Sequence, residues 1–348
     1  INGGLGNDTY KLTIATDAAL SSLVTSGADA TSVALTSVET ASVTVTASGG
    51  VTTIGTLPAT LNTLTVSGTD SNAALAATIG ATGQSITVNN GTLGGNASTI
   101  TFGAFTTQSA TTGSGADIFN TIATDGITAK GGIGIDNFNV SAVAAFANNA
   151  LPTTLNGGAG VDVLTVADGL TGTIDFSDTE NAVTLIETID VGQVAAGGMA
   201  LTLGGTATRT LIGDSTNGNA IFTGTAAQID ALTTMTAQNA GNTFSVVASD
   251  TASVTIDLSD TVYTTLTSVD SVTFAATTAA GVTTVTVDEN LAVVGGAGTT
   301  DKLIVDGVIG AVTMAATATE IVDFTTAAQT GAITAAVGAV TLNTSVAQ

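Results

Sequence analysis

The chain has no cysteine, histidine or tryptophan, only two prolines, and only four basic residues among 348. Without histidine or cysteine, it cannot form a Ser-His-Asp triad, a cysteine nucleophile or an H-E-x-x-H zinc site. Every apolar run is broken before it reaches the roughly 18 residues that a membrane-spanning helix needs. We therefore expect neither an enzyme nor a transmembrane segment.

The charge is strongly one-sided, because 27 acidic residues give a net charge of −23. A nucleic acid would be repelled by this charge, so no nucleic-acid partner is expected. A divalent cation is the natural complement of such a chain. The alternative is that the acidity only keeps an exported protein soluble. The four bases are Lys11, Lys130, Arg209 and Lys302.

The residues that are abundant favour β-structure. Hydrophobic residues make up 44% of the chain and the mean hydropathy is +0.50, which does not match the composition of a disordered chain. Small β-branched residues alternate with Thr and Ser in short runs that end at Gly, Asp, Asn or Ser, as strands and turns do. Three stretches suggest short helices, namely 17–24, 142–148 and 226–232. The clearest strand patterns are 11–14, 42–47, 63–67, 85–89, 163–166, 253–257, 283–288 and 302–305.

A second recurrence places an acid shortly before a strand, and it points to stacked units. Glu39, Glu187, Asp270 and Glu320 each follow an apolar residue and precede an alternating run. Repetition of one strand-turn unit every few tens of residues is typical of a solenoid. We predict an all-β chain that forms an elongated right-handed parallel β-solenoid or β-roll with few short helices.

The most specific signal is the nonapeptide G-G-x-G-x-D-x-U-x, in which U is a large apolar residue. Three copies match fully, at 3–10, 131–138 and 157–164. A copy at 113–119 has Thr112 in place of its first glycine, and a copy at 295–303 carries one extra residue before its acid. The candidate metal-binding residues are Gly3, Gly4, Gly6, Asp8, Gly113, Gly115, Asp117, Gly131, Gly132, Gly134, Asp136, Gly157, Gly158, Gly160, Asp162, Gly295, Gly296, Gly298 and Asp301.

These turns have the chemistry of a calcium site. Glycines allow a tight turn to direct carbonyl oxygens inward, and the Asp adds a carboxylate. Hard oxygen ligands select Ca²⁺ over softer metals. One turn supplies only part of a coordination shell, so a neighbouring coil must complete it. Asp117, Asp136 and Asp162 are 19 and 26 residues apart, so their turns can stack in successive coils.

The motif copies and the Ala/Thr/Val/Gly-rich composition resemble the RTX (repeat-in-toxin) proteins, and more narrowly the bacterial surface-layer proteins that carry scattered RTX motifs. The resemblance implies type I secretion, Ca²⁺-dependent folding, an extracellular location on the cell surface, and self-assembly into a lattice. The Asp of each copy takes the ligand role. A cell-surface polysaccharide would be contacted through a region outside this sequence, which opens inside a motif and is expected to be a segment of a longer chain.

We divide the sequence into an N-terminal β-segment at 1–111, a calcium-binding cluster at 112–170 and a C-terminal β-segment at 171–348, with one continuous solenoid as the alternative. Several functions remain open beside the surface-layer one. A calcium-stiffened stalk or binding module of a large adhesin suits the same features. A polysaccharide-acting β-helix enzyme and an ice-binding Thr array are remoter alternatives.

Overall fold

The computed structural model describes residues 9–14, 39–45, 50–68, 73–89, 97–146, 151–177, 181–193, 198–205, 208, 210–214, 220–237, 244–250, 254–258, 262–265, 271–274, 283–287, 293–294, 302–305, 312–314, 321–324, 333–335 and 341–344. These residues confirm the prediction of an almost entirely parallel β-solenoid, with about six turns. Two of the three short helical stretches are also found, as a 3-10 turn at Val143–Phe146 and a helix α1 at Ala226–Asp230. The stretch 17–24 lies outside the described residues.

The strands are short, and the predicted alternating runs fall within them or overlap them. The first fifteen are β1 (Thr9–Ile14), β2 (Thr40–Val45), β3 (Gly50–Thr56), β4 (Thr63–Gly68), β5 (Ala73–Ile79), β6 (Ser85–Asn89), β7 (Thr99–Phe102), β8 (Ser109–Thr111), β9 (Ile118–Ile122), β10 (Thr128–Ile133), β11 (Asn137–Val140), β12 (Thr154–Ala159), β13 (Val163–Val166), β14 (Gly172–Asp175) and β15 (Ala182–Thr184).

The remaining strands are β16 (Thr188–Gln193), β17 (Met199–Thr202), β18 (Thr210–Asp214), β19 (Ala220–Gly224), β20 (Thr234–Ala237), β21 (Phe244–Ala248), β22 (Val254–Asp257), β23 (Val262–Thr265), β24 (Ser271–Phe274), β25 (Thr283–Val287), β26 (Val293–Val294), β27 (Lys302–Val305), β28 (Val312–Met314), β29 (Ile321–Phe324), β30 (Ile333–Ala335) and β31 (Thr341–Thr344). By internal packing the chain divides into two compact units, 1–167 with 176–188, and 168–175 with 189–348.

In the first unit, each coil gives one strand to each of two parallel sheets. One sheet has the order β1-β2-β4-β6-β8-β10-β12-β15, and the other runs β3-β5-β7-β9-β11-β13 within this unit. Because successive strand side chains point to opposite faces, alternate residues are buried between the sheets. Phe119, Phe138 and Leu164, the U residues of the three central motif copies, lie in register and are fully buried. The rings of Phe119 and Phe138 stack 4.8 Å apart.

The second unit is built in the same way from parallel strands. It contains the sheet β14-β17-β19-β21-β24-β26, the sheet β22-β25-β27-β29-β31, the pair β28-β30, and the run β16-β18-β20-β23. Leu201, Phe222 and Val246 form a buried column, one residue from each of three consecutive strands of the first sheet. Helix α1 is held at its start by Thr225 and Gln228, each of which accepts the other's backbone N–H in a capping box.

Candidate metal centre

The three central motif copies lie in consecutive coils of the first unit. Gly132 pairs with Gly158 between β10 and β12, and Ser114 forms a bridge to Ile133 one coil earlier. The double glycines therefore extend strands instead of forming the turn, which begins only at the third glycine. The sequence pattern predicts both of these glycines within a tight turn. The parallel ladder keeps equivalent residues of the copies one above another.

The third glycine of each copy is required because the backbones approach closely there. Gly134 and Gly160 have φ values of +149° and +154°, a region that L side chains rarely adopt. A Cβ on Gly160 would stand 1.5 Å from the Gly134 carbonyl oxygen, and a Cβ on Gly134 would stand 1.8 Å from the Gly115 carbonyl oxygen. The motif glycines thus permit the stacking itself.

After the third glycine, each turn ends at an acid that binds the backbone of the preceding coil. We call Ser98, Asp117, Asp136, Asp162 and Glu187 the carboxylate column, because they hold the same position in successive coils. One carboxylate oxygen of each acid accepts the N–H of the column member before it. The bonds are Ser98 N to Asp117 Oδ1 at 2.6 Å, Asp117 N to Asp136 Oδ1 at 2.8 Å, Asp136 N to Asp162 Oδ1 at 2.7 Å, and Asp162 N to Glu187 Oε2 at 2.8 Å.

The second oxygen of each aspartate is left without a partner. Asp117, Asp136 and Asp162 are completely buried, and their Oδ2 atoms are buried without any hydrogen bond. An unsatisfied buried carboxylate oxygen is costly, because the charged form loses its hydration. Either a bound proton or a bound cation would remove this cost.

The protonation of these carboxyls reflects their burial. Desolvation raises the pKa of Asp136 from 3.8 to about 7; the hydrogen bond from Asp117 opposes this shift, and the neighbouring Asp117 and Asp162 charges add to it. Desolvation also raises the pKa of Asp117 and of Asp162, and the nearby Glu187 adds to the latter increase. Without a cation, ionising the column is unfavourable.

Another corner of the same coils makes a similar connection without charge. The N–H of Thr153 donates to Asn181 Oδ1 at 3.0 Å, and the amide of Asn181 is itself satisfied by the Phe146 carbonyl at 3.4 Å. In an earlier coil, the amide oxygen of Gln84 accepts the N–H groups of Gly80 and Ala81 within the same loop, each at 2.8 Å. A neutral amide is thus sufficient to satisfy the backbone. The carboxylates of the column carry a charge that this role does not require.

Beside Gly131, an unpartnered carboxylate oxygen and a carbonyl oxygen of the next coil converge on one place. The position that a Cβ of Gly131 would occupy is 2.0 Å from Asp136 Oδ2 and 2.7 Å from the carbonyl oxygen of Gly157 in the next coil. We call this place the first cradle. Since Ca²⁺ binds oxygen at about 2.3–2.6 Å, an ion that both atoms hold would have to lie beyond the Cβ position, which is only one C–C bond from the Gly131 Cα.

The remaining ligands of such a cation must include further backbone carbonyls or water. Within the described part of the chain, no group of three or more acidic side chains is placed to hold a metal ion. A carboxylate with several carbonyl oxygens is nevertheless a donor set that suits Ca²⁺. The residues present therefore fit a hard cation and do not fit a softer transition metal.

The outer side of the turns is apolar. Ile133, Ile135 and Val161, at the variable positions of the motif, are 65%, 61% and 56% exposed. Among the described residues the other exposed large apolar side chains are Phe105 and Leu185. Most of the exposed apolar surface of this kind thus lies on the turns that carry the acids.

Of the other predicted site residues, the copies at 3–8 and 295–301 lie outside the described residues. Glu187 is not among the predicted site residues, although it precedes an alternating run in the sequence. Its spacing is the feature of the sequence that could have identified it, since Glu187 follows Asp162 by 25 residues, close to the 26 that separate Asp136 and Asp162.

Comparisons with protein-family models, curated proteins and solved structures found no match to this chain. The helices among the described residues are all too short to cross a lipid bilayer.

Proposed function

We propose that this chain is a calcium-binding structural segment of a secreted bacterial surface-layer protein of the RTX type. Its work is to fold when it meets Ca²⁺ outside the cell and to assemble with further copies of itself into a lattice. The observation that carries the proposal is the set of buried Asp Oδ2 atoms that have no partner, one of which faces the first cradle.

The chemistry of the column supports a cation in this place. Asp136 would supply a carboxylate oxygen and Gly157 a carbonyl oxygen from the next coil. Bound Ca²⁺ would supply the positive charge that a chain of net charge −23 otherwise lacks at this point. Asp136 Oδ1 remains bonded to the Asp117 N–H, so the same carboxylate joins one coil to the cradle of the next.

When no Ca²⁺ is bound, the missing positive charge should affect folding. In a calcium-poor cytoplasm the buried carboxylates oppose closure of the coils, and the acidic chain stays loose enough to be exported. Outside the cell, a cation that binds only the folded state stabilises it by mass action. The expected function is therefore structural, and no catalytic step is proposed.

Assembly is supported by the apolar outer side of the turns. Ile133 and Ile135 are exposed on a fully described turn, where monomeric proteins more often place polar residues. A second copy of the chain, or another subunit of the same layer, would bury these side chains. The same calcium-bound turns would then lie at the contact between subunits.

The test is a titration of the whole chain with CaCl₂ and then EGTA, followed by circular dichroism and light scattering. Gain of β-signal with calcium, together with reversible growth of large assemblies, is expected. The double variant Ile133→Thr, Ile135→Thr should keep the first response and lose the second, because Thr preserves the β-branched backbone preference. Folding without assembly in the unaltered chain would favour an adhesin stalk. Indifference of both signals to calcium would refute the metal-binding proposal.

A further inference from the structure

The coil that follows the last central motif copy replaces the glycine-rich turn by a shorter one. The pairing of β12 with β15 sets Asn156 beside Thr184, so Leu185 stands over Gly157. The acid then comes after only two further positions, at Glu187. Its longer side chain reaches the N–H of Asp162, as the aspartates do for the coils before them. No glycine motif marks this turn.

Leu185 has a backbone conformation that brings its carbonyl into the stack. Its φ is +54°, which is uncommon for a residue with a branched side chain. Its side chain is 46% exposed, so burial of the leucine does not explain this conformation. What the conformation does achieve is a carbonyl oxygen placed beside Gly157.

The Leu185 carbonyl oxygen and an aspartate oxygen converge on Gly157. The position of a Cβ on Gly157 is 2.0 Å from the Leu185 carbonyl oxygen and 2.3 Å from Asp162 Oδ2. We call this place the second cradle. Asp162 is completely buried and its Oδ2 has no hydrogen-bond partner, so an unsatisfied oxygen faces the cradle independently of the acidic neighbour. The carboxylate of Glu187 adds a second negative charge close to Asp162.

We propose that Asp162, the Leu185 carbonyl and Glu187 form a further divalent-cation site, one coil beyond the last glycine-rich motif. This inference rests on the proposed calcium-binding function, and it adds to the motif residue Asp162 two ligands that the nonapeptide pattern does not mark, the Leu185 carbonyl and Glu187. Both carboxylates and the carbonyl oxygen are hard ligands, so the site would take Ca²⁺. One coil of the solenoid, that of Gly157, would thereby contact a cation on each side.

The opposite end of the stack has no such space. Thr112 holds the position equivalent to Gly131, and it is buried. Its hydroxyl donates to the Gly131 carbonyl oxygen at 2.7 Å, which is the oxygen equivalent to Gly157 O in the first cradle and to Leu185 O in the second. The threonine side chain therefore stands where a cation would bind. The row of cradles begins at Gly131 and ends at Leu185.

The test counts bound Ca²⁺ on the full chain by equilibrium dialysis, because other motif copies add a constant background. Glu187→Gln keeps an oxygen for the Asp162 N–H but removes the charge. It should bind one Ca²⁺ fewer than the unaltered chain, or bind one at least about tenfold more weakly. Asp230→Asn is the matched control: its Oδ1 accepts the Asp257 N–H at 2.7 Å, and its side chain is exposed. The Asp230→Asn substitution should change neither the number of bound Ca²⁺ ions nor their affinity.

The variants Thr112→Gly and Thr112→Ser test the other end of the row of cradles, where Thr112 stands at the position of Gly131. Glycine opens the space and should add one bound ion, whereas serine keeps a hydroxyl and should add none. If Glu187→Gln binds as many ions as the unaltered chain with the same affinity, while Asp136→Asn loses one, the second cradle is refuted and the proposed function stands. If the unaltered chain binds no Ca²⁺ at all, both proposals fail together.

Discussion

The substitution Asp136→Asn separates the two roles of the carboxylate column. Asn is almost the same shape, and its Oδ1 can still accept the N–H of Asp117, as Asp136 does at 2.8 Å. Its uncharged amide group takes the place of Oδ2. The variant thus keeps the backbone connection, removes the buried charge and removes the proposed ligand.

The magnitude follows from the cost of ionising Asp136. A pKa raised from 3.8 to about 7 corresponds to roughly 4 kcal/mol of destabilisation at neutral pH, since each pH unit is worth about 1.4 kcal/mol. Removal of the charge should therefore raise the free energy of unfolding by up to about this amount when calcium is absent. With calcium at about 100 times its dissociation constant, the unaltered chain gains roughly 2.7 kcal/mol from one ion, and the variant does not.

The assay is denaturant unfolding at neutral pH, followed by circular dichroism, in EGTA and in CaCl₂. Asp136→Asn should be more stable than the unaltered chain in EGTA and should gain less from calcium. Asp230→Asn should match the unaltered chain under both conditions, because its exposed carboxylate has no cradle beside it. A variant that is less stable than the unaltered chain in EGTA would refute the argument from desolvation. A variant with an undiminished calcium response would refute Asp136 as a ligand.

Three further predictions use the same coils. In EGTA, the melting temperature should fall as the pH rises from about 4 to about 7, because the folded state holds a proton on Asp136 that the unfolded state releases near pH 3.8. Calcium should weaken or reverse this trend. A melting temperature that does not change with pH in EGTA would contradict the raised pKa. Gly157→Ala should lower the free energy of unfolding in both EGTA and CaCl₂ and weaken calcium binding, since its Cβ would stand 2.0 Å from the Leu185 carbonyl oxygen. The control is Gly83→Ala, at a glycine with open space around it but a φ of +76°. It should lower the free energy of unfolding by only about 1–2 kcal/mol and leave calcium binding intact. Phe138→Ala should cost about 3–5 kcal/mol in chemical denaturation with calcium either present or absent, because the ring is fully buried between Phe119 and Leu164; a loss seen only with calcium would contradict a purely packing role.

Much of the fold could be predicted because its signals are local. Runs such as Ser85–Asn89 and Val163–Val166 alternate with period 2 and became strands with the same bounds. The large apolar residue of the motif copy at 131–138, Phe138, is buried in the core. Parallel stacking followed from repetition, since equivalent turns in successive coils meet through the backbone ladder.

The site was harder to predict, because its composition depends on register. Thr112 is a single departure from the motif, and only its alignment with Gly131 reveals that its hydroxyl bonds the carbonyl oxygen that would otherwise be free for the proposed cation. Leu185 and Glu187 match no pattern, and they join the column only because β15 lies beside β12. The sequence marks the residues that need glycine, whereas a carbonyl oxygen can be supplied by any residue whose backbone is turned correctly.

The carboxylate column and the amide connection at Asn181 differ in charge, and the proposed function gives that charge a role. Asn181 satisfies a backbone N–H of the preceding coil without charge, so the solenoid can be closed by amides alone. Aspartates in the carboxylate column make the same kind of bond, and a buried carboxylate such as Asp136, with a pKa raised to about 7, costs up to about 4 kcal/mol at neutral pH. A cation present at about 1,000 times its dissociation constant returns about the same amount. An amide column would be equally stable with and without calcium. Under the proposed function, a carboxylate column would make the stability of these coils depend on the ion, as a protein that stays unfolded before export and folds afterwards would require.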